Sequence, residues 1–154
     1  MHFKFRPLKW SDYAQCRQMC LDNFDREDFR EFTRMWKKRS AIGSTVVTYY
    51  DTIVGFTFVR KDNYLAYVTV HREFQNQKLG TLLLNQTLKA LRDVPVIWLR
   101  TPPDMRLVRW YERHGFTISE HIYSGFTWLG AELSRRQRPK RASSSFFSLF
   151  TKKM

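Results

Sequence analysis

VHREFQNQKLGTLLL, residues 70–84, changes character twice. It opens at the end of an alternating apolar segment, crosses a polar loop, and enters a leucine-rich stretch of helical period at about Gly80. A strand that feeds a helix through such a loop points successive backbone N–H groups, together with the positive helix end, at whatever sits above it. Phosphate is the favoured guest, and a glycine at the turn lets the backbone approach closely. An ordinary strand-to-helix connection that binds nothing has the same outline, so the flanking elements must decide.

Upstream, the pattern has period two. TVVTYY (45–50) and IVGFTFVR (53–60) read as an antiparallel hairpin around a turn at Asp51-Thr52, and a turn at Lys61-Asp62-Asn63 leads into YLAYVTV (64–70). Further back, FKFRPL (3–8) alternates as a first strand. Trp10-Ser11 reads as an apolar residue plus N-cap for a helix over 12–24. A second helix is expected over 25–39. Asp25, Glu27 and Asp28 stand early in it, Lys37, Lys38 and Arg39 late, and Phe29, Phe32 and Trp36 form its apolar stripe.

Downstream, Leu84, Leu88 and Leu91 mark the buried stripe of a helix over 79–91, and VIWLR (96–100) reads as a short strand buried on both faces. TPPD (101–104) suggests a helix start with Thr101 as N-cap, Pro102 at its first position and Asp104 at its third. That helix runs to His114 and stops at Gly115; strands over 116–122 and 125–131 follow. The order β-α-α-β-β-β-α-β-α-β-β is an α/β fold, a mixed, mostly antiparallel sheet flanked by helices.

Composition sets the bounds. A chain of 154 residues, 43% apolar and 16% aromatic, carries one real core. The expected division is a domain over 1–133 and a basic, Ser/Phe-containing flexible tail over 134–154. The net charge of +13 calls for an anionic partner, but seven Lys/Arg and no acid lie in 134–154, leaving +6 on the body. Cys16 and Cys20, the two cysteines, stand one helical turn apart on the face of Tyr13 and Phe24. Buried reduced thiols are the first expectation; a disulfide or a metal site is the alternative. Residues 1–9 show no signal-peptide core and no run approaches the ~20 apolar residues of a membrane span. A reducing, cytoplasmic compartment is therefore expected.

RWYERHGF, 109–116, ends a helix in Tyr-x-x-x-Gly-Phe after a short buried strand. Alone, Tyr111 reads equally as one more packed tyrosine. Taken together, the two stretches resemble the GNAT superfamily of N-acetyltransferases. Gln75, Asn76, Gln77, Lys78, Leu79 and Gly80 stand in the register of its Gln/Arg-x-x-Gly-x-Gly/Ala signature, and RWYERHGF is similar to its later Tyr-Glu-x-x-Gly-Phe block. Val54-Gly55-Phe56 and the element order fit as well, so the resemblance covers about residues 3–131.

The resemblance implies transfer of an acetyl group from acetyl-CoA to a primary amine, of a small molecule or of a protein or peptide, by direct attack and without metal. It places the pyrophosphate on Gln75 to Gly80 and Thr81, and the pantetheine arm beside the backbone of Val68 and Val70, where the fourth strand splays from the fifth. An N–H near Val70 would hold the thioester oxygen as charge develops, and Tyr111 would protonate the departing thiolate. The acceptor amine must lose a proton before attack. Where many relatives carry Glu on the fourth strand this chain has Ala66, which leaves Glu73 and His71 as nearest bases, while His114 reads as a residue that complements the helix dipole.

There are departures. Lys78 and Asn76 stand where glycine is common, so a left-handed backbone there costs about 1 kcal/mol or more at Lys78. Asp104 stands where relatives use Asn against the cofactor, and a carboxylate sits poorly beside pyrophosphate. These departures favour a rival, a GNAT-fold module that binds acyl-CoA or a partner without turnover. Residues 24–39 and 121–128 are expected to line the acceptor site.

The tail adds open alternatives. Its cluster over 135–141, with Ser143 to Ser145 and FFSLF beyond, fits a solvated chain. It equally fits contact with nucleic acid, an anionic membrane or an acidic protein, or a nuclear-localisation signal. A basic nucleic-acid-binding protein is thus the third function class, and a homodimer is a further expectation.

Overall fold

The computed structural model describes the backbone of residues 2–23 and 26–137. These residues form two compact units, divided between Leu91 and Arg92. In the first, β1 (Phe3–Pro7), β2 (Thr45–Tyr49), β3 (Thr52–Val59) and β4 (Leu65–Val70) form an antiparallel sheet in the order β1-β2-β3-β4. Its helices are α1 (Tyr13–Asn23), α2 (Arg26–Met35) and α3 (Leu79–Ala90). In the second, β5 (Val96–Thr101), β6 (Thr117–Ser124) and β7 (Thr127–Arg136) pair antiparallel in the order β5-β7-β6, with α4 (Met105–Glu112) between β5 and β6 in sequence. The element order is the one the sequence predicts.

Both faces of the first sheet are covered, which is why β2 and β3 read as nearly continuous apolar runs. On one face Cys16, Met19, Cys20, Phe32, Met35 and Trp36 pack against Val46, Phe56 and Phe58. On the other, Leu79 and Leu83 of α3 meet Val47 and Val54. Phe32 is fully buried, with the rings of Trp36, Phe56, Phe58 and Tyr67 at 5.5–5.9 Å. The alternation slips at Val54, because Val47 faces Gly55 while Thr48 faces Ile53. That bulge puts Val54 and Phe56, two positions apart, on opposite faces instead of the same one.

Several boundaries move for local reasons. The first hairpin turns at Tyr50-Asp51, not at Asp51-Thr52, since both residues take the positive φ (49° and 69°) that a tight two-residue turn requires. The first helix begins with a 3-10 turn, Trp10–Asp12, and Ser11 is not its cap. Instead the buried Asp12 carboxylate accepts the Lys9 N–H at 2.7 Å and a bidentate pair from Arg6 at 2.8 Å, tying the helix start to β1. The second helix passes into a 3-10 turn over Trp36–Lys38. Phe32 and Trp36 of its stripe are buried; Asp25 and the side chains of Glu27, Asp28 and Phe29 lie outside the described residues, as does Phe24.

β5 is not buried on both faces: Ile97 and Leu99 are buried, while Val96 and Arg100 are exposed. Thr101 ends that strand and does not cap α4. Asp104 does, its carboxylate accepting from Arg106 and Leu107 N–H at 2.9 and 3.4 Å. At the other end Gly115 N–H donates to Glu112 O and Phe116 N–H to Tyr111 O, with Gly115 at φ 88°. This pair of bonds is the glycine stop expected there.

The last strand runs to Arg136, five residues beyond its expected end. Ser134, Arg135 and Arg136 pair with Trp98, Ile97 and Val96, and Gln137 N–H donates to Pro95 O. Two arginines of the 135–141 cluster therefore belong to a sheet. The rest of that cluster and the tail, residues 138–154, lie outside the described residues. Both cysteines are fully buried thiols outside any disulfide, and burial pushes the Cys16 thiol far above its usual range. Among the described residues no helix is long and apolar enough to cross a membrane.

Candidate functional site

The loop after β4 is built by anchors at both ends. β4 is the edge of its sheet. His71 N–H donates to Val54 O at 2.7 Å, so residues 69 and 71 turn their polar backbone toward β3 and, by strand alternation, Val68 and Val70 turn theirs away. Backbone turned away from β3 in this way could meet an extended ligand laid along the strand. Arg72–Phe74 then form a 3-10 turn. Phe74 packs beside Phe3 and Tyr49 at 6.1 and 5.3 Å between centroids, and the Arg72 guanidinium donates to the Asp22 carbonyl at 2.9 Å. Neither residue is among the site residues the sequence predicts, although an aromatic inside a polar loop is a signal for an anchor.

Past the turn, the Gln75 side-chain amide donates to Val70 O at 3.0 Å, folding the loop back on the strand it leaves. Asn76 and Lys78 both adopt left-handed backbone, at φ 71° and 59°. The two departures from glycine thus fall on positions whose conformation glycine favours, and asparagine bears it more easily than lysine. Gln75, Asn76, Gln77 and Lys78 are exposed, whereas Leu79 is buried in the core and fixes the helix start. Lys78 precedes the first helical residue of α3 with no side chain capping the end and no acid in the first turn. The opening N–H groups, Leu79, Gly80 and Thr81, therefore lack an anionic side chain of their own. An alternating left-handed loop, an uncapped helix end and the Lys78 ammonium fit a pyrophosphate.

The two candidate bases share the 3-10 turn. Glu73 is exposed, and its N–H donates to His71 Nδ1 at 3.2 Å, which puts the proton of a neutral His71 on Nε2. Ala66, on β4, packs against the core formed with α1 and α2.

In the second unit Tyr111 sits in the last turn of α4 and is 8% exposed. Its ring meets Phe116 edge-on at 5.6 Å and Trp110 at 4.9 Å, and its carbonyl accepts the N–H groups of His114 and Phe116. The Tyr-x-x-x-Gly-Phe block therefore works first as a structural unit, with the glycine stop bringing Phe116 back onto Tyr111. His114 Nδ1 lies 2.8 Å from Trp110 O; a carbonyl only accepts, so the imidazole donates and satisfies a terminal carbonyl, as a dipole-complementing residue would. The Asp104 carboxylate is occupied by its cap. Among the described residues no group of three or more His, Cys, Asp or Glu could hold a metal ion.

Residues 5–116 match the family described as Acetyltransferase (GNAT) family, nearly three quarters of the chain. The chain belongs to the GNAT acetyltransferase family. Solved GNAT structures share its fold at low identity. Arabidopsis thaliana Naa50, in complex with the bisubstrate analogue CoA-Ac-MVNAL, is 15% identical at a TM-score of 0.69, with 88% of this chain and 99% of that chain covered. The ribosomal-protein-S18-alanine N-acetyltransferase of Escherichia coli is 14% identical at 0.70, covering 87% and 93%. A GNAT family acetyltransferase from Elizabethkingia anophelis with acetyl-CoA bound is 14% identical at 0.65, covering 88% and 98%. No curated protein sequence matches this GNAT chain. Its fold is thus the GNAT fold, antiparallel sheets flanked by helices.

Proposed function

We propose that this GNAT domain transfers an acetyl group from acetyl-CoA to a primary amine, with a protein or peptide amine as the first acceptor class to test. The observation that carries the proposal is the loop over 75–78. Two left-handed residues lead into a helix end without a side-chain cap, a geometry that neutral packing gives no reason to keep and that an anion exploits. The peptide acceptor takes its support from Naa50 and the S18-alanine enzyme, which share the fold.

Acetyl-CoA would supply an acetyl group activated as a thioester, which the acceptor nitrogen attacks directly. The N–H groups at Leu79, Gly80 and Thr81, with Lys78, hold the pyrophosphate, and Val68 and Val70 offer backbone partners to the pantetheine amides. The Val70 N–H polarises the carbonyl as negative charge grows on its oxygen. Glu73 takes a proton from the amine through water. As the C–S bond breaks, the Tyr111 hydroxyl gives its proton to sulfur, a role that rests on the family block at 109–116.

Ala66 favours a second reading, an acyl-CoA-binding module without turnover, because β4 offers no carboxylate at that position. Two measurements separate the readings. Acetyl-CoA at a hundred times its dissociation constant should stabilise the fold by ~2.7 kcal/mol, and dephosphorylated pantetheine much less. Thiol release should then appear with N-terminal peptides, polyamines or aminoglycosides as acceptors. Tyr111→Phe should lower kcat about 100-fold with little loss of stability. Binding without thiol release on any acceptor would sink the enzymatic reading, and no thermal shift would sink both.

A further inference from the structure

At the end of the first sheet away from the loop, the chain gathers cations that the acetyl-CoA contacts above do not use, although Lys37, Lys38 and Arg39 close the segment over 24–39 expected at the acceptor site. Lys61 N–H donates to Lys38 O at 2.9 Å, and Arg39 bridges to Arg60 across the strands, so the end of the second helix and the β3–β4 turn meet there. Lys9, Lys37, Lys38 and Lys61 are exposed. Arg60 is paired with Asp62. No carboxylate lies within ion-pair distance of Lys9, Lys37, Lys38, Arg39 or Lys61 among the described residues. Four lysines and an arginine so placed leave a field that small ions only screen.

Aromatic rings are interleaved with these charges. The Arg39 guanidinium lies 4.3 Å from the Trp10 ring centroid and 5.1 Å from that of Trp36, and Arg60 lies 4.6 Å from that of Tyr64. Trp10 is nevertheless 62% exposed. One part of its indole is held by a cation, and the exposed remainder is left for an aromatic partner to stack on. β4 spans six residues, about 20 Å, and separates this end from the loop over 75–80.

We infer that this surface binds single-stranded nucleic acid, with the lysines along the phosphates and a base stacked on the outer face of Trp10. An acidic peptide would use the charges but not the open indole. A membrane would call for several apolar side chains entering the interface together, whereas Trp10 stands among lysines. Stacking against an aromatic with cations tracking the backbone is the means by which proteins hold single strands without reading sequence.

The probe is a 20-nucleotide oligouridine, titrated into the full chain at several salt concentrations. Reversing Lys37, Lys38 and Lys61 to Glu should reduce the slope of log affinity against log salt by about 2 and weaken binding at least tenfold at low salt. Reversing Lys140, Lys152 and Lys153 to Glu changes formal charge equally and should cost clearly less. Trp10→Ala should weaken binding roughly fivefold to a hundredfold with the slope unchanged, and Trp10→Phe should recover most of it. An unchanged acetyl-CoA thermal shift in each variant certifies the fold, and excess acetyl-CoA should not displace the RNA. Wild-type affinity in the sheet-end variant, or equal losses in both triple variants, would overturn the inference. So would loss of binding to anionic vesicles in Trp10→Ala while RNA binding stays intact, which would assign the surface to membranes.

Discussion

Lys78 holds a backbone conformation that its side chain opposes, with φ 59° and ψ 17°. A left-handed residue with a β-carbon costs about 1–2 kcal/mol relative to the right-handed form. Lys78→Gly should therefore raise the melting temperature of the ligand-free protein, by an amount equivalent to about 1 kcal/mol. It also removes an ammonium at the helix start, so acetyl-CoA should bind more weakly at low salt. Scans with and without ligand read both effects; an unchanged ligand-free transition would show that the left-handed turn carries no strain. Asp12 is the residue-scale counterpart in the core. Desolvation pushes its carboxyl up, but the Arg6 hydrogen bonds and the Lys9 N–H outweigh that, and the balance lies below the usual carboxylate range. The unfolded chain then binds the proton more readily. Stability from this group is present above about pH 4 and is lost as pH falls through the lower folded value. Asp12→Asn should cost about 2 kcal/mol at neutral pH and flatten the acid limb of the stability curve, as denaturant melts from pH 3 to 7 would record.

Elements here are held by short, specific contacts at their ends. α4 is bounded by the Asp104 cap and the Gly115 stop. Beside it, Gly130 of β7 takes φ 138°, and a Cβ there would lie 2.1 Å from Thr101 O of β5. Two strands approach at that point because one residue has no side chain. Gly130→Ala should cost about 3 kcal/mol or more, beyond what an ordinary overpacked site loses, because neither the backbone angle nor the facing carbonyl can yield. A circular-dichroism melt within a degree of the parent would show that β7 slides freely against β5. The loop after β4 obeys the same logic with opposite use. Leu79 is buried in the core and the half-buried Phe74 packs against it, and the residues between them are exposed.

For the whole molecule, the position where the fold ends matters to any truncation. Cutting after residue 133 removes the pairs Val96↔Arg136, Ile97↔Arg135 and Trp98↔Ser134 and should lower the melting temperature by several degrees. Cutting after Gln137 keeps them and should leave stability and acetyl-CoA affinity nearly unchanged. Cutting after Gln137 also removes five of the tail's seven basic residues. Weak, salt-sensitive binding to polyanions should therefore fall in proportion to charge, while the Trp10-dependent part remains. Equal melting of the two truncated forms would place the end of the fold at 133.

The sequence alone determined the order of elements, because apolar period switches cleanly between two and 3.6 and because glycine and proline are sparse enough to mark boundaries. It also carried the family, since two local blocks, 75–80 and 109–116, each follow from a backbone requirement that neighbouring residues must satisfy. Glycine at 115 announced its helix stop in advance. Where local signals competed, tertiary structure decided. Asp104 and Thr101 are both good caps, and pairing with Ala131 drew Thr101 into β5. Asp12 displaced Ser11 because Arg6, from β1, reached its carboxylate. Arg135 and Arg136 look like tail in composition, yet β5 offered them a partner strand. The gathering of Lys38, Arg39, Arg60 and Lys61 beside Trp10 also belongs to the folded chain alone, because residues about twenty positions apart meet there through backbone hydrogen bonds that no local pattern encodes.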